Sequence, residues 1–151
     1  MVFHVYLKKG VAYVPVVARV TAGYYMDQEP VAVVPVSNSQ ALRQALKDAI
    51  SRGNPTIPTP ARANFPAPVL LKYAGVKYWS DFARGTESWR IEQSDGSFKI
   101  VGGKESGRGG WVDDPEQTLA LPAEATLDQL IDRMTAILQE AAHAQQTRNK
   151  R

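Results

Sequence analysis

The residues most able to do chemistry in this sequence are carboxylates, and they are concentrated in one stretch. Residues 113–140 contain seven acids and a single base, Arg133. The seven acids are Asp113, Asp114, Glu116, Glu124, Asp128, Asp132 and Glu140. Carboxylates spaced as in Asp113-Asp114-x-Glu116 can bind Mg²⁺ or Ca²⁺ or act as acid–base groups. However, Pro115 interrupts the run and no EF-hand pattern follows, which favours exposed surface carboxylates.

The sequence contains few residues that could support other kinds of catalysis. The chain has no Cys, and its two His, His4 and His143, are joined by no motif. Disulfides, thiolate zinc sites and cysteine nucleophiles are therefore excluded, and a Ser-His-Asp triad is not indicated. The segment GGKESGRGG (102–110) lacks the spacing and context of a phosphate-binding loop. We predict no cofactor, no metal and no enzymatic activity; a small enzyme using carboxylates near Asp113 is the third-ranked alternative.

The acidic stretch needs a physical reason, because the whole chain has a net charge of +3. Asp128 and Asp132 are spaced i, i+4 on one helical face, where acids near the start favour the helix dipole. That reason does not extend to Asp113, Asp114 and Glu116. Either bases elsewhere in the chain fold against these carboxylates, or a basic partner docks on them, and the sequence leaves both open.

Aromatic and basic residues are interleaved between residues 72 and 90. The aromatic residues are Tyr73, Tyr78, Trp79, Phe82 and Trp89, and the bases are Lys72, Lys77, Arg84 and Arg90. Stacking aromatics beside bases can bind single-stranded nucleic acid. The helical spacing of Trp79 and Phe82 and the strand alternation around Trp89 suit core packing as well, and we favour packing. A nucleic-acid-binding module that uses residues 72–90 is the alternative function.

Hydrophobic periodicity predicts the elements that position these residues. Strands are predicted at 2–8, 11–21, 30–36 and 117–122, with a hairpin across Asp95-Gly96. Pro15 and Pro35 remove backbone donors, so each is expected at a sheet edge or bulge. A helix is predicted from Ser37–Ser39 to Gly53. The five prolines in residues 54–68 indicate an ordered loop, residues 69–85 a short strand followed by a helical turn, and 102–110 a flexible loop.

The last helix has the clearest local pattern. Thr126 and Gln129 form a capping box, and apolar residues then hold helical spacing to Ala142. The polar, basic tail 146–151 is predicted to be disordered. The order of elements predicts one α+β domain over residues 1–145, with a mainly antiparallel sheet and two principal helices packed on one face.

Bulk properties agree with a single intracellular domain. The chain has 151 residues, the length of one ordinary domain. It contains no apolar run near the roughly 18 residues that span a bilayer. The N-terminal MVFHVYLKKG does not have the charge and cleavage pattern of a signal peptide. We therefore predict a cytoplasmic protein that does not associate with membranes.

Three segments resemble the small immunity proteins of bacterial contact-dependent growth inhibition. They are ALRQALKDAISRGNPTIPTP, VLLKYAGVKYWSDFARGTESWRIEQSDGSFKIVG and GGWVDDPEQTLALPAEATLDQLIDRM, which together cover about two thirds of the chain. The resemblance rests on aromatic, glycine and helix-boundary residues. It implies a cytoplasmic antitoxin that binds and neutralises the C-terminal toxin domain of a very large exoprotein, often a nuclease with a basic cleft. No direct contact with nucleic acid is implied.

The family has no fixed pattern of toxin-contacting residues, so charge alone assigns the site. Carboxylates would supply a field that attracts a basic toxin, and complementary charge speeds encounter toward ~10⁸ M⁻¹s⁻¹ at low salt. A tryptophan beside them would serve as a buried anchor, because Trp is enriched at interface hot spots. The predicted partner-binding residues are Trp111, Asp113, Asp114, Glu116, Asp128 and Asp132.

Overall fold

The computed structural model describes residues 1–149 as one α+β domain. Within these residues the chain forms seven strands and four α-helices. The strands are β1 (Val2–Lys8), β2 (Val11–Val20), β3 (Tyr25–Pro35), β4 (Thr56–Ile57), β5 (Thr86–Ser94), β6 (Ser97–Glu105) and β7 (Trp111–Ala120). The helices are α1 (Ser39–Arg52), α2 (Leu70–Ala74), α3 (Trp79–Ala83) and α4 (Leu127–Asn149). The predicted α+β class is confirmed.

The sheet has the order β3-β2-β1-β5-β6-β7, and β4 adds a short parallel pairing to β2. Neighbours along the main path are antiparallel. Two-residue turns close two of the hairpins, at Lys9-Gly10 and at the predicted Asp95-Gly96. In both turns the two central residues have positive φ, between 50° and 77°. This geometry belongs to type I′ hairpins, whose twist matches that of the strands.

The two long helices cover one face of the sheet. Strand residues alternate, so that Phe3, Val5 and Leu7 of β1 lie in the same buried cluster as the apolar faces of α1 and α4. The capping box predicted at α4 is present. Thr126 N–H donates to Gln129 Oε1 at 2.9 Å, and Gln129 N–H donates to Thr126 Oγ1 at 3.2 Å.

The two principal helices lie on one face of the sheet, as predicted, and two short helices cover the opposite face. The short helices α2 and α3 pack there, where Leu70 and Phe82 join Tyr6, Tyr13 and Val31 in a second buried cluster. The short strand predicted near residue 69 is therefore wrong. The apolar side chains of that segment cover the sheet surface, and Gly75 ends α2 in the left-handed conformation.

The strands near the acidic stretch are longer than predicted. Strand β6 continues to Glu105, so only residues 106–110 remain as the loop before β7. Pro15 lies at a register shift in β2, and Pro35 ends the edge strand β3, which confirms the expected positions of both prolines. Strand β3 begins at Tyr25, earlier than the predicted residue 30.

The C-terminal boundary also differs from the prediction. Helix α4 continues through Asn149, so residues 146–149 of the tail are helical. Residues 150 and 151 of the predicted disordered tail lie outside the described part of the chain.

No helix in residues 1–149 is long and apolar enough to cross a membrane.

Candidate interaction surfaces

The six residues predicted to bind a partner do not lie on one surface. Trp111 packs with the cluster under α2 and α3, whereas α4, which carries Asp128 and Asp132, covers the other face of the sheet. Trp89 and Ile91, which flank Arg90 on β5, point into the core beneath α1 and α4, so Arg90 points to the other face of the sheet. Asp113 pairs with Arg90 and therefore lies on that face, together with Trp111. The acidic sequence is thus split between the two faces of the sheet.

Two of the predicted carboxylates are neutralised inside the chain. Arg90 donates two hydrogen bonds to Asp113, at 3.0 and 2.9 Å, across strand β6. The guanidinium lowers the pKa of Asp113 below its ordinary value, first through these hydrogen bonds. Asp132 forms an ion pair with Arg43 of α1. For these two residues, bases of the chain itself neutralise the negative charge, which was one of the two alternatives that the sequence left open.

Asp114 is buried and shapes the backbone of β7. Its carboxylate accepts hydrogen bonds from the backbone N–H of Glu116 and the side-chain amide of Gln117, both at 3.1 Å. Its carbonyl accepts a third bond from the hydroxyl of Thr118. These bonds stabilise the irregular segment where the β6–β7 register shifts, between Val101 and Gly103. The carboxylate of Asp114 is therefore largely buried and engaged with its own strand.

Four carboxylates of the acidic stretch remain both exposed and unpaired. Glu116, Glu124, Asp128 and Glu140 are exposed and form no ion pair with any residue in 1–149. We call these four residues the free carboxylates. Glu116 is on the edge strand β7, Glu124 precedes α4, and the other two are on α4.

Trp111 is an internal anchor in this structure. Its indole N–H donates to the carbonyl of Thr86 at 3.0 Å, and its ring lies 5.7 Å from Tyr6 and 5.8 Å from Trp79. The prediction that the aromatic residues serve packing is confirmed for Phe82 and Trp89, which are buried. Trp111 thus holds the start of β7 against the α2–α3 layer.

A polar network on the sheet was not identified from the sequence. Asp27 of β3 reaches over β2 and accepts hydrogen bonds from two residues of β1. The distances are 2.6 Å from His4 Nδ1 to Oδ1 and 2.6 Å from the Tyr6 hydroxyl to Oδ2. Burial, and then the charge of Asp27, raise the pKa of Tyr6 well above its ordinary value. No sequence signal joins these residues, because strand pairing brings them together.

Asp27 also borders a large open cavity. The cavity is a groove of about 880 Å³ between the N-terminal half of β3 and the segments that carry α2 and α3. Its walls include the aromatic side chains of Tyr24, Tyr25, Phe65 and Trp79. We call it the β3 groove. A volume of this size is typical of ligand-binding clefts.

The two lysines that line the β3 groove each contact a neighbouring side chain. Lys72 donates to Glu29 Oε1 at 2.6 Å, which lowers the pKa of Glu29 and raises that of Lys72. The ammonium of Lys77 lies 5.4 Å from the ring centroid of the exposed Tyr78.

Among residues 1–149 there is no group of three or more His, Asp or Glu residues arranged to hold a metal ion.

Comparisons with known proteins show the fold but no family. No family model matches the sequence, and no curated protein matches it significantly. Among solved structures, the chain is similar to a protein described as "Protein of Unknown Function NMB0488 from Neisseria meningitidis". The TM-score is 0.66, the sequence identity is 11%, and the alignment covers 93% of each chain. At this identity the likeness concerns the arrangement of strands and helices alone.

Proposed function

We propose that this chain is a cytoplasmic immunity protein. It would bind and neutralise the C-terminal toxin domain of a contact-dependent growth inhibition exoprotein, a basic nuclease in this proposal. The observation that carries it is the set of free carboxylates, Glu116, Glu124, Asp128 and Glu140, which remain exposed when internal ion pairs are taken into account. The resemblance described above supplies the class of partner.

The physical argument is one of charge complementarity. The free carboxylates carry negative charge that no base within residues 1–149 neutralises by an ion pair, and a basic partner would supply that neutralisation on binding. A nuclease cleft has to attract phosphates, so it offers the complementary positive field. Such complementarity raises the rate of association more than it raises affinity, and the effect weakens as salt screens it.

The nucleic-acid alternative has less support from the geometry. Of the residues that suggested it, Lys72 is paired with Glu29, Arg90 is paired with Asp113, and Trp89 is buried in the main core. A stacking platform needs exposed aromatic faces next to available cations. In this chain two of the cations are paired with carboxylates, and two of the aromatic rings, Phe82 and Trp89, are buried.

The test begins with the partner. The proposal expects the source cell to encode such an exoprotein, and its C-terminal domain is expressed in a test bacterium with and without the chain while growth is recorded. The proposal expects toxicity that the chain suppresses, together with a stoichiometric complex. Toxicity that persists in the presence of the folded chain, or nucleic acid as the only material retained, would refute the antitoxin function.

Charge reversal then tests the surface. In the variant Glu124→Lys/Asp128→Lys two free carboxylates become positive, and in the control Asp48→Lys/Glu105→Lys the same net change is made elsewhere. We expect the first variant to slow association at low salt by about tenfold or more relative to the control. Equal association rates would show that the toxin binds another surface.

A further inference from the structure

The β3 groove contains a carboxylate that the surrounding residues hold in place but do not neutralise with a fixed positive charge. Asp27 has a side chain that is 15% exposed, and each of its oxygens accepts one short hydrogen bond. One donor is the neutral hydroxyl of Tyr6, and the other is the ring of His4. Each carboxylate oxygen can accept more than one hydrogen bond, so Asp27 can still accept bonds from a ligand in the groove.

The walls of the groove suit a positive charge. Tyr24 is 41% exposed and Phe65 is 57% exposed, although both are large apolar side chains. Together with Tyr25 and Trp79 they give the groove several aromatic faces. The face of an aromatic ring attracts an ammonium or guanidinium group, most strongly where water is excluded.

The other charged residues of the groove do not compete for this position. Glu29 and Lys72 form an ion pair with each other. Lys77 has its ammonium over the ring of Tyr78, which is among the most exposed large hydrophobic side chains of residues 1–149. The mostly buried Asp27 is therefore the carboxylate left to receive a cation inside the groove.

We propose that the β3 groove binds the side chain of an arginine or lysine in an extended polypeptide segment. The cation would contact Asp27, and its aliphatic part would lie between the aromatic walls. A polypeptide fits because β3 is at the edge of the sheet and pairs only with β2 within residues 1–149. Edge strands commonly accept an extended segment in this way.

This site is separate from the free carboxylates to which the proposed function is assigned. Strand β3 is at one edge of the sheet, whereas β7, which carries Glu116, is at the other edge. The inference does not rest on the immunity function. A toxin that failed to bind would leave it intact, and a groove that failed to bind cations would leave the immunity function intact.

The test is a titration of the ¹⁵N-labelled full chain, followed by NMR. The probes are the peptide acetyl-Ala-Val-Arg-Val-Ala-amide, the same peptide with citrulline in place of arginine, and butylguanidinium. Citrulline has the shape of arginine without its charge. We expect the arginine peptide to shift the backbone signals of Tyr25 and Asp27 and the indole signal of Trp79, and the citrulline peptide to bind about tenfold or more weakly.

Variants of the groove provide the second arm. Asp27→Asn keeps the shape of the side chain and removes its charge, and we expect it to weaken binding of the arginine peptide by about tenfold or more. Phe65→Ala changes an exposed wall residue and should weaken binding several-fold without loss of folding. Asp48→Asn, which removes a carboxylate from α1, is the matched control and should bind like the parent.

The outcomes separate the parts of the proposal. Equal binding of the arginine and citrulline peptides, or unchanged binding in both Asp27→Asn and Phe65→Ala, would overturn it. Butylguanidinium that binds as tightly as the arginine peptide would overturn the polypeptide as occupant, because the backbone would then contribute nothing. If Asp27→Asn does not fold, the citrulline comparison and Phe65→Ala decide the question.

Discussion

The close approach of β7 to Gly102 allows a graded test of packing at the edge of the sheet. A Cβ placed on Gly102 would lie 2.5 Å from the Cβ of Gln117 and 3.0 Å from its carbonyl oxygen. Both partners are close to the backbone of β7, so the strand must move to accept even one methyl group. Gly102 does not have a positive φ, and the cost of Gly102→Ala therefore comes from this contact.

Two opposing effects set the size of the expected change. Overpacking of this kind destabilises the folded state by about 1–3 kcal/mol. Replacing Gly by Ala also lowers the conformational entropy of the unfolded chain, which stabilises the protein by about 0.4–1 kcal/mol. We expect a net loss of about 1–2 kcal/mol. For a chain of this length that corresponds to a fall in Tm of about 2–8 °C.

The assay is thermal unfolding followed by circular dichroism, with Gly110→Ala as the matched control. A Cβ on Gly110 meets no heavy atom within 4 Å, and its φ is not positive. The control should keep or slightly raise the Tm. The side-chain amide of Gln117 donates to Asp114 at 3.1 Å, so Gly102→Ala should also shift the NMR signals of Asp114. Equal Tm values for the two variants would refute the packing argument.

Two further predictions concern the capping box and the ion pair of Asp113. Thr126→Ala removes a hydrogen-bond acceptor at the start of α4 and should cost about 1 kcal/mol in urea unfolding, whereas Thr126→Ser should not; equal losses would exclude capping as the cause. Arg90→Met should return the pKa of Asp113 toward its ordinary value of 3.8, measured by NMR titration. The pKa of Asp113 is lower in the folded than in the unfolded state, so the pair stabilises the fold at neutral pH. The stabilisation is less than about 1 kcal/mol because the pair is exposed. It is lost as the pH falls through the lowered pKa. A titration curve of Asp113 that does not change in Arg90→Met would contradict the pairing.

Local patterns were sufficient to predict the long helices and one hairpin. Helix α1 is capped by Asn38, which accepts from Ala41 N–H, and it ends before Gly53 as its periodicity indicated. The Asp95-Gly96 turn needs only its own residues to specify its geometry. Such elements depend on neighbours within a few positions, and a single sequence contains that information.

The site residues depended on contacts that a single sequence does not show. Arg90 and Asp113 lie on strands that are separated by β6, and they meet because the register places them on one face. The contact of Asp27 with His4 and Tyr6 likewise requires β3 and β1 to flank β2. Charge along the chain was therefore a poor guide to charge on the surface, since long-range pairing had already neutralised part of it.

The central position of β1 has a consequence for the order in which the chain can fold. Strand β1 pairs with β5 from Val2–Glu92 to Lys8–Thr86, and the N-terminal ammonium donates to the carbonyl of Gln93 at 2.7 Å. The sheet thus consists of two antiparallel meanders, β1-β2-β3 and β5-β6-β7, joined along the seam where β1 pairs with β5. This seam joins the first strand of the chain to a strand from its second half. Forming that seam requires closure of a long loop, which slows folding. During synthesis the first meander has to wait, with the edge of β1 open, until β5 has left the ribosome.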